Sequence, residues 1–409
     1  MGNTLTAILA GGRGERLLPL TEYRAKPAVP FAGNYRIIDF ALSNAINTDL
    51  KRIYAITQYQ PNSLDRHLNQ IRGYAFSGRE SLRVLPPIQG SEDRGWYQAT
   101  ANAVYQNLDV FKTEGNYDNM LILAGDHVYL TDFKEFIKQH EKTDADFSVM
   151  TQKVPSIEKR KKLGVLNFDS KGKIIDFQEK PDEPKYENAS MGIYLAKRGF
   201  LEKILKENSE NPKLDFGGDV IPKIIKDKKE IYAFPYDGYW RDVGTLASYF
   251  EANMDLLAPK PDIDLQHATI WTYGGILQPF VKQNFTTILS GGCIVSNATL
   301  ERVIAGSKTQ IEKSNVKNTI FLGSTWDTDQ GGKDLSKAYV GKDCWIQNTI
   351  CDKDVTIGDG CIIGYGQRDN LNGLMPGLDY ICDRDSGLIV IKKGRVLKPG
   401  TVIPAIPTN

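Results

Sequence analysis

Residues 7–17 read Ala7-Ile8-Leu9-Ala10-Gly11-Gly12-Arg13-Gly14-Glu15-Arg16-Leu17. The first four are apolar on both faces of an extended chain and too few for a helix, which predicts a strand buried inside a sheet. Three glycines then fall within four residues. Lacking Cβ atoms, that backbone can pass close to a ligand and aim successive N–H groups at it, a cradle for phosphate oxygens. Arg13 and Arg16 add cations with forked donors. Leu17 stands where the dinucleotide fingerprint needs its last glycine, and no Gly-Lys-Ser/Thr follows, so neither of those two phosphate loops is present. Taken alone, such a turn serves a fold as readily as a ligand.

Downstream the pattern repeats. Ile53-Tyr54-Ala55-Ile56-Thr57, Leu121-Ile122-Leu123-Ala124, Phe147-Ser148-Val149-Met150 and Ile193-Tyr194-Leu195 are further short apolar runs, while 62–71, 98–112 and 131–142 have helical spacing. This alternation predicts an α/β, Rossmann-like domain with a mainly parallel sheet. Ala258-Pro259-Lys260-Pro261 breaks it. Beyond about 285 helical spacing ends, and Val340-Gly341 to Ile346 and Ile357-Gly358 to Ile363-Gly364 each step by six residues, the period of a left-handed parallel β-helix. A polar insertion at 324–337 interrupts the register; a small β-sandwich is the competing architecture. The expected division is a catalytic domain over 1–258, a linker over 259–285 and a β-helix over 286–409.

The whole chain of 409 residues carries 51 Lys+Arg against 50 Asp+Glu, a net charge of +1. That balance leaves no footprint for nucleic acid or an anionic membrane, so an anionic ligand must be held by local charges. No apolar stretch is long enough to span a bilayer. The five cysteines form no CxxC pair, which fits buried thiols in a reducing, cytoplasmic setting.

Further charges sit at strand ends. Lys26, within Arg24-Ala25-Lys26-Pro27-Ala28, lies ten residues after Arg16 and either returns to the same phosphates or is a solvated surface lysine. Asp126 follows the apolar run 121–124, and Asp242 lies in Trp240-Arg241-Asp242-Val243-Gly244-Thr245. Ligands of open α/β sheets bind beyond the carboxyl ends of strands, and two carboxylates without a histidine partner suit Mg²⁺, which also grips phosphates. The other reading of Asp126 is a turn or helix-cap residue. Glu179-Lys180-Pro181 ends another strand, where Lys180 suits a phosphate and Glu179 sugar hydroxyls; a surface ion pair is the alternative.

With these pieces in order the sequence resembles the sugar-1-phosphate nucleotidyltransferases, in particular their ADP-glucose pyrophosphorylase (glucose-1-phosphate adenylyltransferase) branch. Beside the motifs above, Tyr35-Arg36-Ile37-Ile38-Asp39-Phe40, Ala189-Ser190-Met191-Gly192-Ile193-Tyr194 and Asp215-Phe216-Gly217 carry the likeness, which covers nearly the whole chain. It implies transfer of the adenylyl group of ATP to glucose 1-phosphate for glycogen- or starch-type glucan synthesis. The nucleophile is already an anionic phosphate oxygen, so no general base is needed; positioning and charge neutralisation carry the rate. The resemblance assigns Asp126 and Asp242 to Mg²⁺, and Asp126, Asp242, Arg16, Lys26 and Lys180 to catalysis. Leu9, Ala10, Gly11, Gly12, Arg13, Gly14, Arg16, Lys26, Tyr97, Gln98 and Thr100 would meet ATP. Gly164, Glu179, Lys180, Ser190, Met191, Gly192, Tyr194, Asp215 and Trp240 would meet glucose 1-phosphate. Arg24, Lys353 and Lys393, with Lys392 as the neighbouring register, would bind a phosphorylated metabolite effector, and the assembly would be a homotetramer.

Three departures from the family pattern stand out. Tyr23 replaces a lysine tied to activation by fructose 1,6-bisphosphate, Ala99-Thr100-Ala101-Asn102-Ala103 replaces Gly-Thr-Ala-Asp-Ala, and only a few residues precede the first strand, so no N-terminal regulatory extension is expected. Two alternatives follow: a catalytically weak regulatory subunit of the same fold, or a transferase using another nucleoside triphosphate.

Overall fold

The computed structural model describes residues 3–75, 81–87, 95–113, 115–265, 267–272, 275–276, 281–282, 286–324, 338–366 and 374–405. The chain forms two compact units. Residues up to Gly12 and Ile38–Trp240 build the first; Arg13–Ile37, Arg241–Thr272 and the chain from Ile276 onward build the second.

In the first unit the opening apolar run is strand β1 (Thr4–Ala10). It pairs in parallel with β2 (Arg52–Thr57) on one side and β4 (Asn119–Ala124) on the other, and β3 (Ser81–Leu85) continues in parallel beyond β2. Register sets Ala10 beside Thr57 and Leu9 beside Ala124, so the residues that leave the sheet together are Gly11, Gln58 and Gly125. Beyond β4 the direction changes: β8 (Asn188–Lys197) runs antiparallel to β4 and carries β5 (Phe147–Lys153) and β6 (Gly164–Phe168), also antiparallel. At the far side β7 (Ile174–Glu179) pairs antiparallel with β6, and β9 (Ile231–Pro235) pairs in parallel with β5.

Helices α1 (Ile37–Asn47), α2 (Pro61–Ala75), α3 (Thr100–Gln106), α4 (Leu108–Thr113) and α5 (Lys134–Lys142) follow strands in turn. Leu5, Ala7, Tyr54, Ile56, Met120 and Ile122 present one face of the sheet to Val104, Leu108 and Phe111 of α3 and α4. Burying such apolar faces on both sides is what makes parallel strands read as unbroken apolar runs.

The second unit contains a parallel β-helix. Ile294, Gln310, Tyr339, Thr356 and Val396 are successive cross-strand partners, as are Thr299, Asn315, Trp345, Ile362 and Val402. A coil therefore takes 16 residues from Ile294 to Gln310 and 17 from Tyr339 to Thr356. Parallel stacking of coil on coil excludes the sandwich, whose sheets are antiparallel. The 29-residue step from Gln310 to Tyr339 accommodates the polar insertion, of which 325–337 lie outside the described residues. Val340 and Ile346, Ile357 and Ile363, and Leu397 and Ile403 repeat the six-residue spacing, and all six are at most 1% exposed.

Corners fall in columns of left-handed backbone: Asn297, Lys313, Asp343, Gly360 and Gly400 share one, and Arg302, Asn318 and Asn348 another. Glycine, asparagine and aspartate tolerate positive φ, which is why they recur there. Cys344, Cys351 and Cys361 are buried free thiols of this stack.

Helix α6 (Leu246–Asp255) belongs to the same unit and opens on a capping box between Thr245 and Ser248. Among the described residues no helix is long and apolar enough to cross a membrane.

Candidate active site

Gly14 turns the chain after β1 in the left-handed region, φ 67°. A methyl group there would lie 2.8 Å from Lys26 Cβ, so only glycine lets the 24–28 segment pack on the turn. Thr21 Oγ1 and the Leu17 amide both donate to the Gly14 carbonyl, each at 2.9 Å. Held this way, Lys26 is only 6% exposed and its ammonium lies 3.2 Å from Asp242 Oδ1. The solvated-surface reading of Lys26 is thereby excluded. Gly244 keeps space beside the pair: a methyl group on it would be 3.1 Å from Asp242 Oδ1 and 3.2 Å from Arg16 Nη2. Arg16, Lys26 and Asp242 thus converge within the second unit. Arg13 is exposed and pairs with Glu15 at 2.7 Å.

In the first unit, Leu9 and Ala10 end β1, and Gly11 lies against Gln58, which leaves β2. Asp126 leaves β4 in a turn and caps no helix, since the next helix, α5, has Phe133 at its cap. Asp126 Oδ1 is 3.6 Å from His127 Nε2, while His127 Nδ1 lies within hydrogen-bonding reach of Trp240 Nε1 (3.3 Å) and of the Met191 carbonyl (3.1 Å). The Trp240 ring meets the imidazole edge to face at 5.5 Å. Gly192, at φ 67°, would place a Cβ 3.3 Å from Ala124 and 3.6 Å from His127. The structure so gathers Asp126, Met191, Gly192 and Trp240 around one imidazole.

The remaining predicted sugar residues form a second cluster of this unit. Glu179 Oε1 pairs with Lys180 Nζ at 2.8 Å, and Lys180 stays exposed with a strained φ of 40°. Built Cβ atoms would come within 2.9 Å of the Glu179 carboxylate from Gly164 and within 2.2 Å from Gly217. Tyr194 and Ser190 are each 8% exposed; burial drives the Tyr194 phenol far above its ordinary range, and its ring packs on Phe216 at 5.2 Å. Asp215 Oδ1 accepts the amides of Gly217 (3.0 Å) and Gly218 (3.1 Å), and Asp215 Oδ2 accepts the Thr100 hydroxyl at 2.7 Å. On the other side, Tyr97 is clasped by Gln58 through both its amide and its carbonyl, and its phenol accepts from Asn107 at 3.0 Å. Asn102 takes over the family's aspartate position with a neutral side chain whose oxygen accepts from the Gln98 amide and from Gln106.

Arg24 and Lys392 sit in the second unit, each already opposite an acid. Arg24 Nη1 meets Asp352 Oδ1 at 2.8 Å, with side chains 6% and 1% exposed, and Lys392 meets Glu22 at 3.2 Å. Burial, then the cations Arg36 and Arg24, bring the Lys353 ammonium down to about 7. Lys393 is half-buried and adjoins Lys392 in the chain.

Gln58, His127 and Gly217 escaped the reading of the sequence as site residues. Gln58 and His127 do carry a signal, because both directly follow a strand or its turn at the carboxyl edge of the sheet. Among the described residues no three His, Cys, Asp or Glu side chains cluster to cage a metal. One or two carboxylates, with water and substrate phosphate completing the shell, is the donor set that suits a magnesium-like ion.

Residues 5–258 match the model of the nucleotidyl transferase family, and residues 281–402 match that of the GLGC left-handed parallel beta-helix domain. A glucose-1-phosphate adenylyltransferase of Shewanella frigidimarina is 40% identical, over 97% of this chain and 94% of its own. One from Nitrosococcus oceani is 37% identical over 88% of this chain and 89% of its own. Another, from Thermotoga maritima, is 46% identical over 65% of this chain and 63% of its own.

Proposed function

This chain belongs to the nucleotidyl transferase family and, by a likeness that spans nearly all of it, to the glucose-1-phosphate adenylyltransferases; from that premise we propose how its residues perform the reaction. A phosphate oxygen of glucose 1-phosphate bonds to the α-phosphorus of ATP, the bond from that phosphorus to the β-phosphate breaks, and ADP-glucose and pyrophosphate leave. The attacking oxygen is anionic, so the protein supplies alignment and countercharge rather than a base.

The Arg16–Lys26–Asp242 cluster carries this reading. A lysine 6% exposed, with a carboxylate and a guanidinium beside a glycine turn, is a costly arrangement unless it meets a polyanion and its metal. Arg16 and Lys26 face the triphosphate, with Gly11, Gly12 and Gly14 letting the backbone approach. Lys180 holds the sugar phosphate, while Glu179, Ser190, Tyr194 and Trp240 line the glucose. Asp126 and Asp242 are the Mg²⁺ ligands, and the ion when bound contributes charge neutralisation at the phosphates. His127 orients Trp240. Residues 1–258 serve chemistry and 286–409 control and assembly into a homotetramer. Arg24, Lys353, Lys392 and Lys393 receive a phosphorylated effector that competes with Asp352 and Glu22 for their charges.

The test is pyrophosphate release by the purified chain from glucose 1-phosphate with ATP, UTP or dTTP, each with and without phosphorylated effectors. ATP is expected to be the preferred donor. Release with UTP or dTTP alone would overturn the nucleotide assignment, and no release under any condition would make the chain a regulatory subunit.

A further inference from the structure

Thr100 opens α3 beside the loop assigned to the nucleotide, and its hydroxyl is bonded twice to the segment assigned to the sugar. It donates to Asp215 Oδ2 at 2.7 Å and accepts the Phe216 amide at 3.2 Å. Two residues further on, the Asn102 amide donates to the Leu214 carbonyl at 2.9 Å. Three hydrogen bonds therefore fasten the start of α3 to residues 214–216.

From Asp215 the connection continues inward. Its other carboxylate oxygen holds the amides of Gly217 and Gly218, fixing a turn in which the Asp215 amide itself is bonded to Asp219 Oδ2 at 2.8 Å. Gly217 is packed so tightly on Glu179 that a single methyl group would lie 2.2 Å from its carboxylate oxygen. A shift of the Gly217 backbone thus transmits directly to Glu179 and to Lys180, its ion-pair partner at 2.8 Å. With three donors already on its carboxylate, Asp215 is occupied by protein groups; its place in the sugar pocket is that of a support.

We infer that Thr100 is a positioning residue for glucose 1-phosphate: through Asp215 and Gly217 it sets Glu179 and Lys180, and so couples occupation of the nucleotide loop to affinity for the sugar phosphate. The inference rests on the function proposed above. Coupling of this kind is reciprocal, so the bound sugar phosphate tightens nucleotide binding by the same factor.

Thr100→Val keeps the β-branched shape and removes the hydroxyl, and Thr100→Ser restores it. Initial rates of the full-length enzyme over a matrix of ATP and glucose 1-phosphate concentrations give both KM values and kcat. Loss of a hydrogen bond to a charged group predicts about a tenfold higher KM for glucose 1-phosphate in Thr100→Val, a larger change than in kcat or in the KM for ATP, and recovery in Thr100→Ser. The interdependence of the two KM values should shrink in the valine variant. A sugar-phosphate KM that stays at the wild-type value while only the ATP KM rises would overturn the relay, as would a serine variant no better than valine. A wild-type chain without turnover would overturn the functional reading, and this inference with it. Equal melting temperatures of the three proteins separate the relay from a general loss of fold; a melting temperature lowered in valine and serine alike would refute it.

Discussion

Lys26 and Asp242 are 216 residues apart in sequence and 3.2 Å apart in space. A lysine between an alanine and a proline gives no hint of that burial; only its recurrence near a glycine turn marked it. Asp126 was easier, because a carboxylate that follows an apolar parallel strand stands where such sheets bind ligands. Its isosteric amide provides the sharpest residue-level check. Asp126→Asn should fold with an unchanged melting temperature and lose on the order of a hundredfold or more in kcat, the scale of removing a metal ligand's charge stabilisation. Full turnover in that variant would remove Asp126 from the mechanism. Thr100 and Gly217 show what sequence could not supply: their roles depend on a hydrogen bond at 2.7 Å from Thr100 to Asp215 and on packing of Gly217 so close to Glu179 that an added methyl group would lie 2.2 Å from its carboxylate, each partner more than 35 positions away.

Elements were legible where one period dominated. The runs at 7–10, 53–57, 121–124, 147–150 and 193–195 are strands because both faces are buried, and the six-residue steps of the C-terminal third lie within the coils of the β-helix. β3 escaped because Ser81-Leu82-Arg83-Val84-Leu85 alternates like an edge strand, with Arg83 exposed. Changes of strand direction are equally silent in a residue pattern, so the antiparallel entry of β8 was not foreseen. Packing of α5 on β5 brings a titration with it. His140 is 1% exposed, with Nδ1 bonded to Ser148 Oγ at 2.8 Å. Burial, then the nearby Lys197 cation, hold its imidazole down at about 4, with Asp144 opposing. The unfolded chain takes up that proton near pH 6.5, so the contribution is complete above 6.5 and is lost as pH falls toward 4, about 3 kcal/mol in all. The stability gap between wild type and His140→Gln should therefore narrow from pH 7 to pH 4.5 in urea titrations; a gap independent of pH would contradict the assignment.

At the scale of the whole molecule, residues 13–37 fold with the β-helix rather than with the strand they follow. Arg24 and Asp352 fasten them there, 328 residues apart. Breaking one half of a buried pair is far costlier than removing both, so Asp352→Asn should destabilise the second unit by about 3–5 kcal/mol. Adding Arg24→Gln should recover much of that loss. Thermal unfolding of the two single variants and the double variant forms the cycle, and strictly additive losses would mean the ion pair contributes nothing of its own.

The shared unit of Arg16, Lys26 and the C-terminal coils also has a meaning in time. Those two cations precede the long span Ile38–Trp240 of the first unit in the chain, whereas part of what they pack with, from Arg241 onward, follows it. The sheet that carries Asp126, Glu179 and Lys180 can close while the ribosome is still working, but the Arg16–Lys26–Asp242 cluster must wait until Asp242 has been added. A nascent chain halted before Asp242 would hold its sugar side folded while Lys26 still lacked its carboxylate partner.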